Sequence, residues 1–574
     1  MIKIPPFLPF LIGAILFPFL KWRKLREGLL LLIPLLVLWQ LPQFPHGSFW
    51  KVRFLEYELT LLQVDKLSLV FGYIFSIMAF IGFLYGLHVR RAGEQMAALL
   101  YVGSSLGVTF AGDLFTLFLF WELMAASSVF LIWYRGDRKA LWAGFRYILF
   151  HVFGGCALLA GIILHYLQVG SLQVGPLPHH GVASSLILLG FLVNAAVPPL
   201  HPWLPDAYPE GTITGSVFLT AYTTKSAVYI LARTFAGMEL LMWAGAVMAL
   251  YGVIFAMMED DLRRLLAYHI VSQVGYMVCG VGIGGAMGVN GAVAHAFCHI
   301  LYKALLFMGA GAVIYVTGKR TFSQLANVSL WRAMPLTLIL YLIGGFSISG
   351  VPLFNGFVSK SMVIAASVLK EEPLVEILLV LASVGTFYST TLKLPYLTWF
   401  GRGKKKVRVG EPRLNMLLGM GVAALLCVLL GVWPKPLYDA LPFPVHYKPY
   451  TPDHIVGTMG LLLGTVIAFR ILLPEIRPHQ TITLDFDWFY RKLGRGLLVL
   501  SSAHFTEWER RVQERISSWV VSLSAASENP FSFFLPRQKA EEMRIHLRRS
   551  LLSLGPLFGL LFLFFYTLFF LWLS

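Results

Sequence analysis

The chain is predicted to be an all-α polytopic membrane protein, and three observations carry that prediction. Of its 574 residues, 57% are hydrophobic and only 13% charged, with a mean hydropathy of +0.72; soluble domains carry about a quarter charged residues. Apolar runs close to the roughly 20 residues that cross a bilayer recur along most of the chain. Two of these runs are interrupted by proline and glycine at membrane depth, in VNAAVPPLHPWLPDAYPEG and FSISGVPLFNGFVSK. Such breaks are tolerated only where protein or a watery cavity satisfies the freed backbone groups.

In order, spans are expected near residues 4–20, 28–42, 67–88, 97–111, 113–133, 144–166, 184–204 and 213–235. Further spans follow near 239–258, 264–286, 290–316, 334–369 (broken), 375–400, 414–432, 454–473 and 552–573, roughly sixteen in all. The first, PPFLPFLIGAILFPFL, reads as a retained helix rather than a signal peptide: its basic cluster follows the apolar run, and no small-residue cleavage site appears.

The net charge of +17 does not indicate nucleic acid, because lysine and arginine alternate by loop. KWRKLRE (21–27), HVRR (88–91), YRGDRK (134–139), DDLRR (260–264), GKR (318–320) and GRGKKKVR (401–408) are basic, whereas YLQVGSLQVGPLPHHGVASS (166–185) is nearly uncharged. The positive-inside rule makes the first set cytoplasmic and both termini external, in a cell (inner) membrane. The four cysteines, Cys156, Cys279, Cys298 and Cys427, lie in predicted helices without a C-x-x-C pair, and are expected to be buried small apolar residues.

The broken spans are the seventh and twelfth, five apart, which is the sequence pointer to an internally repeated transporter. The segments after them, TAYTTKSAVYILAR and TFYSTTLKLPYLTWF, share a Thr-rich turn and a lysine, Lys225 and Lys393. The expected organisation is N-terminal helices over 1–96, one five-helix repeat over 97–235, a second over 239–400, and further membrane helices over 401–473. A hydrophilic lateral segment over 474–551 and a final span over 552–574 complete it. Within the lateral segment Phe505, Trp508, Val512, Ile516, Trp519 and Val520 recur at helical spacing opposite Glu507, Arg510, Arg511, Glu514 and Arg515. Such a helix lies along the membrane surface or against a partner, or serves as an ordinary amphipathic connector.

Ionisable residues inside the apolar spans point to function. Glu122 stands alone in LFTLFLFWELMAASSVFLIW, and Lys225, Lys303 and Lys360 occupy other spans. Each costs roughly 2.5–3.5 kcal/mol at the bilayer centre, so the default reading is an ion or proton path. His295, His299 and Lys303 recur every four residues and share one helix face. Imidazole takes a proton on one nitrogen and releases it from the other, which suits a relay. The rival readings are a metal site, for which no acidic third ligand accompanies the pair, and histidines capped by backbone carbonyls. Glu122 and Lys225 are expected to interact; about 4 Å apart at an effective dielectric near 20, opposite charges attract by roughly 4 kcal/mol. The plain alternative is a static ion pair. Lys360, just after the second break, is a candidate exit group or a snorkelling lysine.

These motifs resemble the antiporter-like membrane subunits shared by respiratory complex I, Mrp-type sodium/proton antiporters and membrane-bound energy-converting hydrogenases. The resemblance covers roughly residues 60–430 through VDKLSLVF, GDLFTLFLFWELM, VPPLHPWLPDAYPE, TTKSAVYILAR, DDLRRLLAYHIVSQVGYM, HAFCHILYKALLFMGAG and SISGVPLFNGFVSK, in that order. It implies about fourteen core helices in two inverted five-helix repeats, about two C-terminal helices, and a midplane row of charged residues. By motif, Glu122, Lys225, His295, His299, Lys303 and Lys360 all match. One position departs: where many relatives have a lysine before the first break, this chain has Asn194, which cannot titrate. His269 stands where serine is commoner and adds a candidate relay group.

The reading is therefore a proton- or sodium-translocating subunit of a multisubunit membrane complex, with other membrane subunits, including further antiporter-like ones, as partners. It has no cofactor or metal motif and no redox chemistry of its own; redox reaction or coupled antiport would lie elsewhere in the complex. A stand-alone cation/proton antiporter and a non-conducting membrane scaffold are the alternatives.

Overall fold

The structure is a computed structural model that describes residues 4–326, 328–401, 409–474 and 485–528, with a few positions between 536 and 542. In so apolar a chain the scarce acids mark where helices begin. After α1 (Leu8–Leu16) and α2 (Arg23–Gln40), Asp65 forms a capping box with Ser68 at the start of α3 (Lys66–Gly86). Following α4 (Ala92–Phe110), Asp113 accepts from Thr116 N at the start of α5 (Leu114–Trp133), and Asp137 opens α6 (Arg138–Val169) in the same way.

The first break comes next. α7 (Val182–Ala195) stops at Ala196 in the left-handed region (φ 56°), and the chain resumes as the short α8 (Trp203–Ala207). The span expected over 213–235 is also broken, into α9 (Ile213–Leu219) and α10 (Thr223–Thr234). The second repeat's region holds α11 (Glu239–Met258), α12 (Leu262–Ile283), the long α13 (Gly285–Thr317) and the single turn α14 (Phe322–Leu325). Its break separates α15 (Pro335–Ser349) from α16 (Asn355–Leu369) across Gly350 (φ 72°). α17 (Pro373–Thr386) passes through a π-helical stretch, Phe387–Lys393, into α18 (Leu394–Trp399). α19 (Leu414–Val432), α20 (Lys435–Ala440) and α21 (Pro452–Leu472) follow.

Ten of the described helices are long and apolar enough to cross a membrane, and four apolar helices are shorter. Roughly sixteen spans were expected; the difference arises mainly because broken spans enter as short halves. The helical fold is accompanied by an antiparallel hairpin, β1 (Gly47–Phe54) and β2 (Tyr57–Val64), which apolar-run scanning does not detect. Cys156 is exposed on α6, contrary to expectation, while the other three cysteines are buried. The final span over 552–573 lies outside the described residues.

Glycines let α11 and α12 approach closely. A Cβ at Gly245 or Gly252 of α11 would lie 2.2 or 2.5 Å from backbone nitrogens of α12, so these backbones touch as small-residue membrane interfaces allow. At one end of the bundle, Glu210 binds Arg135 at 2.6 Å and Arg320 at 3.0 Å, and Arg320 also pairs with Asp261. Three of the basic loops therefore meet on one face. At the hairpin, Thr60 N donates to Asp113 at 2.7 Å and Leu114 N to Leu172 O at 2.7 Å, which brings the nearly uncharged loop 166–185 beside β2.

A second unit begins at Phe486. Within it α22 (Asp487–Glu528) is a 42-residue helix on which Trp508, Ile516, Trp519 and Val520 are exposed.

Candidate functional site

α12 and α13 are packed against each other, and α13 also contacts α10, α15 and α16. His295, His299 and Lys303 rise along one face of α13, about 12 Å from first to last at 1.5 Å per residue. All three are buried. The rings of His295 and His299 are 6.3 Å apart, and Tyr302 stands beside both, at 5.2 Å from the His299 ring with its hydroxyl 3.4 Å from His295 Nε2. Nδ1 of His295 faces Ser359 Oγ of α16 at 3.2 Å.

The row continues to Lys360. Its ammonium lies 5.1 Å over the Tyr276 ring, and Tyr276 is 5.6 Å from the His295 ring. Lys360 Nζ donates to Ile348 O at 2.7 Å, a carbonyl in the last turn of α15. Lys225 does the same at the α9–α10 break: its Nζ donates to Thr220 O at 2.5 Å, at the end of α9. Both buried lysines thus sit at the negative, carbonyl-bearing end of a broken helix. Lys393 follows the pattern at the end of α11, donating to Met257 O at 2.6 Å.

Lys303 and His299 differ. They lie in the middle of a continuous helix, where every backbone carbonyl is already bonded, and neither Lys303 Nζ nor either ring nitrogen of His299 has a hydrogen-bond partner among the described residues. A buried polar group left in that state is expensive unless water or a transported ion completes it. Lys225 and Lys303 are near enough to interact electrostatically, as are Lys225 and His299. The structure therefore brings Lys225, His295, His299, Lys303 and Lys360 into one buried row.

Glu122 is not in contact with Lys225, which corrects the expected ion pair. Its carboxylate packs instead on α6, where a Cβ at Gly155 would lie 2.0 Å from Oε1, and that oxygen has no hydrogen-bond partner among the described residues. The cause is geometric: α5 presents Glu122 toward α6, while the Lys225 amine is held by the Thr220 carbonyl. Asn194 is buried at the end of α7, and its Oδ1 lies 2.8 Å from Nδ1 of His151 on α6. His269 faces Ser389 Oγ at 2.7 Å.

Sequence reasoning passed over Gln273, Tyr276 and Tyr302. A signal was present, since His269, Gln273 and Tyr276 recur at i, i+4 and i+7 along α12. Tyr302 donates to Gln273 Oε1 at 3.4 Å and so links the two helices. Another group was missed: Asp485, far along the chain, is buried against the first break and α11–α12. It accepts from His201 Nε2 at 3.1 Å, from Tyr268 at 2.6 Å and from Tyr251. Among the described residues no cluster of three or more His, Cys, Asp or Glu side chains is placed to hold a metal ion.

A model of the NADH:quinone oxidoreductase/Mrp antiporter transmembrane family matches residues 111–387. The chain is 30% identical over 491 residues to one of the Na(+)/H(+) antiporter subunits of Alkalihalophilus pseudofirmus, covering 74% of this chain and 60% of that protein. It is 29% identical over 503 residues to one of the Na(+)/H(+) antiporter subunits of Staphylococcus haemolyticus, covering 76% of this chain and 62% of that protein. It therefore spans a little under two thirds of these relatives. Among solved structures, a chain of the archaeal membrane-bound sulfane sulfur reductase matches with a TM-score of 0.70 at 22% identity, over 95% of this chain and 98% of that one. A chain of the Mrp complex from a Dietzia species matches with a TM-score of 0.67 at 22% identity, over 75% and 94%. A chain of respiratory complex I from Thermus thermophilus gives 0.68 at 23% identity, over 80% and 99%. At these identities the structural likenesses establish the fold.

Proposed function

We propose, from the match of residues 111–387 to the NADH:quinone oxidoreductase/Mrp antiporter transmembrane family model, that the chain is a proton- or sodium-translocating membrane subunit of a larger complex. The observation that carries the reading is the pair His299 and Lys303, buried in mid-helix with polar atoms that no group among the described residues satisfies. A scaffold gains nothing from such groups, whereas a relay needs charge acceptors that water and a mobile ion complete. Lys360 and Lys225, at the carbonyl ends of the α15–α16 and α9–α10 breaks, would hand charge to and from this centre. Glu122 would take part from the α5–α6 side. Further membrane subunits as partners, the cell membrane as location and an external N-terminus belong to the same proposal, the last supported by basic loops that meet on one face.

The test is ion translocation by the purified, reconstituted complex, read with a pH-sensitive dye and a sodium indicator inside the vesicles. Lys303→Met is expected to leave assembly intact and remove most coupled translocation. Wild-type translocation by that variant would defeat the reading in favour of a scaffold.

A further inference from the structure

His151 belongs to no motif on which the family resemblance rests, yet it is buried in the membrane part of α6 and its ring is clamped on three sides. Tyr147 packs on it with ring centroids 4.1 Å apart and Trp203 at 4.7 Å, and Asn194 Oδ1 lies 2.8 Å from Nδ1. The Tyr147 hydroxyl is bonded to Ser128 at 2.7 Å, and the Trp203 indole to Val193 O at 2.9 Å, so the clamp is itself held. Because a carbonyl oxygen only accepts, Nδ1 carries the hydrogen and Nε2 is left as the basic nitrogen of the neutral ring. Nε2 is buried without a hydrogen-bond partner among the described residues, and so is Asn194 Nδ2.

One helical turn along the same face of α6 lies Gly155, against which the Glu122 carboxylate rests with its own unpartnered oxygen. The packing order runs α5 on α6, α6 on α7, and α7 on α10, the helix of Lys225. His151 and Asn194 therefore stand between the two charged groups that the structure keeps apart.

Building on the translocation reading above, we propose that His151, oriented by Asn194, is the proton relay between Glu122 and Lys225 in the first half of the molecule. The Glu122 carboxylic acid gives its proton through water to His151 Nε2, leaving a carboxylate and an imidazolium. The imidazolium then releases that proton from the same nitrogen toward α10 and returns to the neutral ring. Nδ1–H stays bonded to Asn194 throughout, so the ring does not rotate, and nothing is oxidised or reduced. A side chain that cannot titrate, Asn194, thereby fixes the one beside it that can.

The experiment uses the complete complex, purified and reconstituted, with proton translocation read by an internal pH-sensitive dye and assembly checked on native gels. His151→Gln is expected to lower translocation roughly tenfold or more, the range of a lost acid–base group. Adding Asn194→Lys to His151→Gln puts a titratable amine back at the same place and is expected to recover a substantial part, which a packing role would not produce. Undiminished translocation in His151→Gln overturns the proposal, and so does a loss that the added lysine leaves unrepaired. Lys303→Met in parallel separates the two readings: if it too translocates normally, the translocation reading fails, whereas its loss beside a normal His151→Gln removes only the role of His151.

Discussion

Lys303 and Lys225 are both buried lysines, but Lys225 is bonded to a helix-end carbonyl and Lys303 to nothing among the described residues. Their substitutions should therefore separate stability from transport. Replacing even a paired buried charge and its partner by apolar side chains of similar size is often neutral or stabilising by about 1–4 kcal/mol, and an unpartnered charge bears the desolvation cost with no attraction to offset it. Lys303→Met should accordingly keep or raise the thermal midpoint while translocation falls, and a clear drop in Tm would contradict the unpartnered placement. Glu122 invites a second comparison. Glu122→Gln is expected to abolish most translocation with assembly retained. Gly155→Ala should do similar damage without touching a titratable group, because its Cβ would lie 2.0 Å from Oε1 and must displace the carboxylate. Normal translocation in Gly155→Ala would show that the position of the carboxylate against α6 is immaterial.

At the scale of elements, the α9–α10 and α15–α16 breaks share a construction. In each, a half-helix ends among carbonyls and a lysine from the following half-helix binds one of them, Lys225 at Thr220 O and Lys360 at Ile348 O. This explains how broken backbone persists at membrane depth, since the freed carbonyl has a strong donor. Lys360→Met leaves the Ile348 carbonyl without that donor, and a lost hydrogen bond to a charged group typically costs about 1.5–3 kcal/mol. A lower thermal midpoint is expected in addition to lost transport, opposite in sign to the Lys303 variant. Scanning calorimetry or thermal-shift assays on the purified complex would tell them apart.

For the whole molecule, Asp485 is the point where distant sequence meets the core, held by His201, Tyr251 and Tyr268. Burial alone would raise its carboxyl, but the hydrogen bonds and the His201 ring outweigh this and hold it down to about 2. A depressed carboxylate stabilises the native state above its unfolded value, near 3.9, and loses that contribution as pH falls toward 2. The Asp485 carboxyl should therefore stay ionised from about pH 5 upward, so that its own titration does not loosen the attachment there. Asp485→Asn keeps the shape but turns an amide donor toward groups that are themselves donors. It should weaken assembly on native gels at all of those pH values, and truncation after Pro474, which removes Asp485 and α22 together, should weaken it further with the core still folded. An intact complex from the truncated chain would dismiss a bracing role.

Hydropathy, loop charge and helical spacing were local properties, and they were enough to establish a helical membrane protein, two of its broken spans and the His295–His299–Lys303 stripe. The hairpin was not legible because it lies between apolar runs, in a stretch that carries Lys51, Arg53, Glu56 and Glu58; the extra break at 220–222 and the π-helical stretch were not, because each interrupts a run that remains apolar on average. Partner choice was least legible of all. Glu122 was expected beside Lys225, yet the amine is taken by a backbone carbonyl and the carboxylate turns to a glycine on α6. His151 met Asn194 from 43 positions away, and Asp485 met His201 from 284 away. Which residues are ionisable and which face they occupy follows from sequence, since helix periodicity is intrinsic to the backbone; which group satisfies which depends on the order in which whole helices pack, and only the tertiary structure decides that.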